Sequence, residues 1–299
     1  MAAFFVPILK QKPSILIAYL LINNAIMELT PESQLKPYFA ENGYVVIDTN
    51  LDHGLFEHIT ASLAPYFGED REIPPRVPFS DYNRIQDAWY INKAVWKVAA
   101  SKRVRSVLTH LYDQSPRAFQ TLNFKYGTQQ PTHADTIHFN SEPFGSMCGV
   151  WVAFEDIGPD QGPLRIYPGS NALPEMNYTD FGLVSDTKEY PKYLTALESV
   201  IEQNGFKERH ATIKKGQAVI WAANTLHGGA PQNDLSLTRH SQVTHFYMGD
   251  PKTWRPSFSK NGRAYFNPDR VRNMNGMKHR LYCYKETVKK KLFPNWVDH

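Results

Sequence analysis

Apolar positions fall into two regimes along the chain, changing near Phe119. Before it they recur at helical spacing. Residues 30–42 and 54–66 are predicted helical, Thr30 or Pro31 opening the first and Asn42-Gly43 closing it ahead of a strand at Tyr44–Ile47. From Lys93 to Tyr112, Val95, Val98, Val104, Val107, Leu108 and Leu111 predict one or two helices packed outside the core. After Phe119 the apolar runs shorten and are punctuated by glycine and proline, which predicts strands at Gln120–Lys125, Ile137–Phe139, Met147–Glu155, Leu164–Tyr167, Ala211–Ile213, Gln217–Ala222 and Ser241–Tyr247. Residues 175–209, with Tyr190, Tyr193, Leu194, Leu197 and Val200, interrupt these strands with a helical insertion expected to cover the mouth of a site.

The expected fold is therefore mainly β, a double-stranded β-helix (a jelly-roll, cupin-like barrel) with flanking helices, mostly N-terminal. Its expected division is one catalytic domain over residues 1–299: a helical extension at 1–30, a barrel core at 119–250 holding the insertion, and a C-terminal segment at 251–299. The apolar run Ile15–Ile22, preceded by Lys10 and Lys12, is far short of the roughly 20 residues that span a bilayer. No small-x-small cleavage site follows it, so a helix packed on the domain is expected, with Met27 as an alternative start.

Candidate chemistry begins at His133-Ala134-Asp135, the one His-x-acid triplet in the chain. On an extended segment side chains two apart share a face, so both can reach one metal. His227, at the end of a distant apolar run, would complete a 2-His-1-carboxylate face that leaves the other metal positions open, as in non-haem Fe(II) oxygenases. With 11 histidines and 29 acidic residues in 299 positions about one such triplet is expected by chance, so its company matters. Twelve positions after His227 comes Arg239, flanked by Thr238 and Ser241. A guanidinium fork grips a carboxylate through two parallel hydrogen bonds, which suits the far carboxylate of a metal-chelated keto acid. The structural alternative is a barrel-end arginine paired with Asp234 or Glu155. His138 faces away from Asp135 by strand parity and is expected to be structural, the alternative being a substrate contact or a donor behind a ligand; His240 and His245, in no such triplet, are left outside the metal site.

The segments Phe119–Asn171 and Lys215–Phe246 resemble the phytanoyl-CoA dioxygenase family of iron(II)/2-oxoglutarate oxygenases. The resemblance is carried by QTLNFKYG from Gln120 to Gly127, His133-Ala134-Asp135, VWVAFED from Val150 to Asp156, GPLRIYPGS from Gly162 to Ser170, and Leu226-His227-Gly228. ENGYVVID from Glu41 to Asp48 is similar to the family's opening strand, so the likeness covers most of residues 35–250. It implies Fe(II) on His133, Asp135 and His227, 2-oxoglutarate held by Arg239, and further cosubstrate contacts at Gln120, Asn123 and Trp151. For Trp151 ordinary interior packing is the competing expectation. Dioxygen as oxidant and ascorbate as reductant are implied too. Halogenating relatives carry a small residue where Asp135 stands, so hydroxylation of a small lipid-like, acyl-CoA or secondary-metabolite substrate is expected. Two other classes fit parts of the pattern: a catalytically silent metal-binding jelly roll, and a cupin-type metalloenzyme that uses no keto acid.

Composition adjusts this only slightly. The formal charge of +4 is dispersed apart from Lys289-Lys290-Lys291, a solvated helix face or an attraction for an anionic substrate, and nucleic-acid binding is not indicated. Two cysteines, Cys148 and Cys283, imply no disulfide framework; Cys148 is expected to be a core thiol and the compartment reducing, hence cytoplasmic. Neither the primary substrate nor the oligomeric state is legible.

Overall fold

The computed structural model describes residues 26–68, 79–271 and 288. In chain order these form α1 (Leu35–Asn42), β1 (Tyr44–Asp48), α2 (His53–Leu63), β2 (Phe79–Ser80), β3 (Arg84–Gln86), α3 (Lys93–Ala99), α4 (Lys102–Tyr112), β4 (Pro116–Phe124), β5 (Asn140–Glu142), β6 (Met147–Ala153), β7 (Leu164–Ile166), α5 (Tyr190–Asn204), β8 (Arg209–Ala211), β9 (Gln217–Ala222), β10 (His227–Gly229), β11 (Ser241–Met248) and β12 (Lys252–Trp254). Helix starts follow their capping chemistry. The side chains of Asp52, Asn92 and Ser101 accept from the backbone N–H of Gly54, Ala94 and Val104, satisfying donors that the first turn leaves open.

A seven-stranded antiparallel sheet runs β1-β9-β6-β11-β4-β3-β2, with smaller sheets β10-β7-β8 and β12-β5. Its outward side chains (Val45, Ile47, Cys148, Val150, Ala218, Ile220, Phe246) pack against Phe56, Ile59, Val95, Val104 and Leu108 of the helices. Its inward ones (Tyr44, Val46, Phe124, Trp151, Val219, Trp221, Val243) meet Leu164, Ile166 and Ala211 of the smaller sheet. The central strands are thus covered on both faces, and every position of β6 and β11 is buried.

Several expectations are corrected. The strand expected at Ile137–Phe139 is a 3-10 turn, Asp135–Ile137, with β5 following at Asn140–Glu142. The one expected at Ala211–Ile213 shifts to Arg209–Ala211, leaving Ile213 in an isolated bridge with Ile157. The barrel is not confined to 119–250, since β1, β2, β3 and β12 belong to its sheets. Residues 26–30 are not helical; Met27 is buried among the inward-facing core, its N–H bonded to the Thr212 carbonyl at 2.8 Å. The Ile15–Ile22 run, Cys283 and Lys289–Lys291 lie outside the described residues. Cys148 is the expected buried thiol. The insertion is helical through α5, and its Tyr178, Tyr193 and Leu197 pack on Ala134, Ile137 and Leu226, the neighbours of the candidate ligands.

Candidate metal and cosubstrate site

Two segments distant in sequence are clasped backbone to backbone. The His133 N–H donates to the His227 carbonyl at 2.8 Å, and the His227 N–H to the His133 carbonyl at 2.9 Å. Gly228 permits this approach, because a Cβ there would stand 2.7 Å from the Gln130 carbonyl oxygen. Each imidazole is then fixed by a backbone carbonyl: His133 Nδ1 to Pro131 and His227 Nδ1 to Thr225, both at 2.9 Å. A carbonyl only accepts, so each Nδ1 carries the proton and each Nε2 presents its lone pair. The backbone is extended at Ala134 and turns into the 3-10 helix at Asp135, so His133 and Asp135 share a face through a bend, not along a strand.

The two oxygens of Asp135 have different neighbours. Oδ1 lies 3.8 Å from His133 Nε2 and 3.7 Å from His227 Nε2. Oδ2 accepts the Trp221 indole N–H at 2.8 Å and lies 3.8 Å from His245 Nε2. One donor atom from each of His133, Asp135 and His227 falls within 4.8 Å of the others, a spacing one ion can bridge with bonds of about 2.1 Å. Trp221 reaches Asp135 across β6 because residue 149 is glycine; a Cβ there would overlap the indole ring. Trp221 is an aromatic strand residue with no metal-ligand spacing, and parity alone does not disclose its bond.

Burial and charge suit a cation. Burial raises the Asp135 pKa, but His227, His245, His133 and the Trp221 N–H outweigh it and hold the carboxyl below its usual range. Burial, with His227 next, takes His133 down to about 3, and burial takes His138 down to about 4. His245 is lowered by the same cause. A carboxylate anion thus sits beside the His133, His138 and His245 imidazoles, which burial keeps neutral.

Arg239 opens on the same cavity of about 290 Å³. It is 3% exposed, yet none of the ion pairs among the described residues involves it. Its Nη1 donates to the Gly162 carbonyl at 2.9 Å and its Nε has no partner. The guanidinium carbon lies 5.3 Å from the Trp151 ring centre and 5.7 Å from that of Phe124, and burial lowers its pKa to about 10. The structural pairing expected as an alternative is absent: Glu155 accepts from the Thr238 hydroxyl and the His240 N–H, and Asp234 binds Ser236.

Of the remaining candidates, Gln120 and Trp151 line the cavity, Gln120 accepting from His245 Nδ1 at 2.8 Å and Trp151 Nε1 lacking a partner. Asn123 does not line it. Three positions from Gln120 on one strand, it faces the helix side and donates to Gln242 at 3.3 Å. Ser241 does not line it either; its hydroxyl donates to the Arg239 carbonyl at 3.1 Å, holding the arginine's backbone. His245 and His138, set aside on sequence grounds, both line the cavity. For His245 the signal is parity with the inward Val243 of β11. His138 follows the 3-10 turn, and its Nε2 lies 3.3 Å from the Tyr190 hydroxyl of α5.

The fold and this cavity define a jelly roll whose barrel interior carries a His-Asp-His set beside an unpaired buried arginine. The profile of the phytanoyl-CoA dioxygenase family matches residues 39–240, and the chain belongs to that family. It is 26% identical over 183 residues to phytanoyl-CoA dioxygenase domain-containing protein 1 of Danio rerio, covering 58% of this chain and 60% of that protein. It is 29% identical over 99 residues to the Mus musculus protein of that name, covering 31% and 34%. The chain thus matches less than two thirds of the length of these curated relatives. Among solved structures, the non-haem alpha ketoglutarate dependent epimerase SnoN from nogalamycin biosynthesis superposes with a TM-score of 0.57 at 16% identity, over 80% of this chain and 98% of SnoN. EctD from S. alaskensis, solved with 2-oxoglutarate and 5-hydroxyectoine, gives 0.58 at 14% identity, over 83% and 89%.

Proposed function

We propose that the protein is an iron(II)- and 2-oxoglutarate-dependent dioxygenase that hydroxylates a small organic substrate. The observation that carries this reading is the unpaired, buried Arg239 guanidinium opening on the same cavity as the Asp135 carboxylate and the His133 and His227 lone pairs. A silent metal-binding jelly roll has no use for an uncompensated buried cation. When bound, iron couples the oxidative decarboxylation of 2-oxoglutarate by dioxygen to oxidation of the substrate, releasing succinate and carbon dioxide, with ascorbate as a possible reductant.

In this reading the chain's residues divide the work. His133, His227 and Asp135 would hold the ion, and the Trp221 N–H fixes the Asp135 carboxylate through Oδ2. Arg239 receives the far carboxylate of 2-oxoglutarate against Trp151, and the Gln120–His245 pair walls the cavity. Tyr190, bonded to His138, lends the insertion a role at the substrate side and in excluding water. A single catalytic domain and a reducing, cytoplasmic setting belong to the same reading; the unpaired Cys148 supports the latter, and no helix among the described residues is long and apolar enough to cross a membrane.

The test is succinate release under oxygen with iron, ascorbate and 2-oxoglutarate, alone and with acyl-CoA, amino-acid-derived and terpenoid candidates. Iron-dependent succinate formation lost in Asp135→Ala is the expected result. A protein that binds metal yet releases no succinate under any condition would overturn the proposal in favour of a silent or keto-acid-independent jelly roll.

A further inference from the structure

Arg255 is, with Arg239 and Arg84, one of three guanidiniums on the cavity wall that have no carboxylate partner among the described residues. Its Nε is buried without a hydrogen-bond partner, and none of the ion pairs among the described residues involves it. The position is built, not incidental. The Arg255 N–H donates to the Ala264 carbonyl at 3.0 Å, its own carbonyl accepts from the Ser259 hydroxyl at 2.7 Å, and its guanidinium carbon lies 4.6 Å from the Phe266 ring centre and 5.5 Å from that of Phe139. Two residues on, the Ser257 hydroxyl donates to the Ile137 carbonyl at 3.3 Å, tying this arm to the turn that carries Asp135. Glu142, on the strand paired with β12, is already taken by Arg263.

Charge around the cavity is lopsided. Its lining holds Arg84, Arg239 and Arg255 against the single carboxylate of Asp135. An iron(II) ion, the Asp135 carboxylate and a 2-oxoglutarate dianion would together leave one negative charge, which Arg239 would match at the keto acid's far end. Arg84 and Arg255 would both still line the cavity with no anion among the described residues, and of the two it is Arg255 that is set between Phe139 and Phe266 on the arm tied to the turn of Asp135. A partly buried cation flanked by two phenyl rings and left unpaired is a binding site for an oxyanion, and the planar fork fits a carboxylate best.

We infer that the primary substrate is a small organic acid whose free carboxylate is gripped by Arg255, its apolar body lying along Phe139 and Phe258. This rests on the proposed function and narrows it: a cavity of about 290 Å³ shared with 2-oxoglutarate fits a compact acid, and a thioester would bring a neutral carbonyl where the arginine calls for an anion.

The probes are 3-phenylpropanoate and octanoate, each against its own primary amide, bound to the full chain loaded with zinc(II) and 2-oxoglutarate and followed by saturation-transfer NMR. The acids are expected to bind about tenfold or more tightly than the amides, as charge-assisted hydrogen bonds require. Arg255→Gln is expected to bring acid down to the level of amide, and Arg255→Lys, which keeps the charge without the fork, to recover part of the difference. Equal binding of acid and amide, no binding by either acid, a preference that survives Arg255→Gln, one that vanishes only in Arg84→Gln, or displacement of the acid by added 2-oxoglutarate would each overturn the inference. Failure of the underlying reading shows separately, as absence of the Fe(II)–2-oxoglutarate charge-transfer absorbance in the anaerobic wild-type protein.

Discussion

Replacing Arg239 by methionine separates two effects that a structural arginine would keep together. Burial lowers this guanidinium from its ordinary value to about 10, so at 1.36 kcal/mol for each tenfold change the missing counter-ion costs the free protein about 3 kcal/mol. Methionine removes that cost and keeps much of the volume against Trp151 and Phe124. It also leaves the Gly162 carbonyl without its 2.9 Å donor, which costs about 1–3 kcal/mol. The two changes offset, so the metal-free variant should fall within about 2 kcal/mol of wild type, a shift of a few degrees in Tm. Binding of 2-oxoglutarate should suffer far more. Two parallel charge-assisted hydrogen bonds at about 1.5–3 kcal/mol each correspond to roughly 10²–10⁴-fold in Kd. Thermal denaturation of both proteins, bare and with zinc(II) plus 2-oxoglutarate, reads both effects. At a hundredfold excess over Kd the ligand should add about 2.7 kcal/mol to wild type and almost nothing to the variant at the same concentration. An Arg239→Met protein that gains as much as wild type from 2-oxoglutarate, or whose bare form loses more than about 4 kcal/mol, would refute the reasoning, the latter being the mark of a severed structural ion pair.

Trp221→Phe deletes the N–H on Asp135 Oδ2 and should weaken metal binding about 10–100-fold by competition titration; unchanged affinity would mean the indole does not orient the carboxylate. Gly149→Ala drives a methyl into the Trp221 ring and should cost about 1–3 kcal/mol in chemical denaturation, together with metal affinity. Pairing it with Trp221→Phe should restore part of the stability, and a fully tolerated alanine would contradict the packing described. His138 has a folded pKa depressed to about 4, so its stabilising contribution is present above the unfolded value near 6.5 and is lost as pH falls toward 4, by about 3 kcal/mol in all. In the metal-free protein, Arg239 intact, His138→Gln should flatten the slope of unfolding free energy against pH by about one proton near pH 5, and an unaltered slope would locate the titration elsewhere.

Spacing and order disclosed the parts of the site that behave as local motifs. His133, Asp135, His227 and Arg239 are recognisable because their chemical types recur in a fixed sequence, and the structure brings all four to one cavity. What escaped was geometry made by pairing. The 3-10 turn at Asp135–Ile137 interrupts a segment whose apolar residues resemble a strand, and once it bends, the parity that sent His138 away from the site no longer holds. At Asn123 parity is right and the family likeness misled, since the alternation that sets Gln120 inward sets Asn123 outward. Strands covered on both faces, β6 and β11 above all, lose their polar-apolar alternation, so composition does not tell the inward face of β11 from the outward one, and His245 is legible only once Val243 is known to point inward. Trp221 and Arg255 gain their surroundings from Gly149 and from the arm beyond β12, relationships that only the closed barrel creates.

The reciprocal clasp of His133 and His227 also bears on how the site comes into being during synthesis. A nascent chain that has emerged only as far as Asp135 owns two of the three donors and has nothing to tighten them; the third arrives after the insertion and β9 have been made. No short peptide excised around either histidine should hold the ion, unlike a zinc finger, whose fold the metal organises. A clasp made of backbone hydrogen bonds needs no ion to close, so a chelator should strip the finished protein to a folded, reloadable shell.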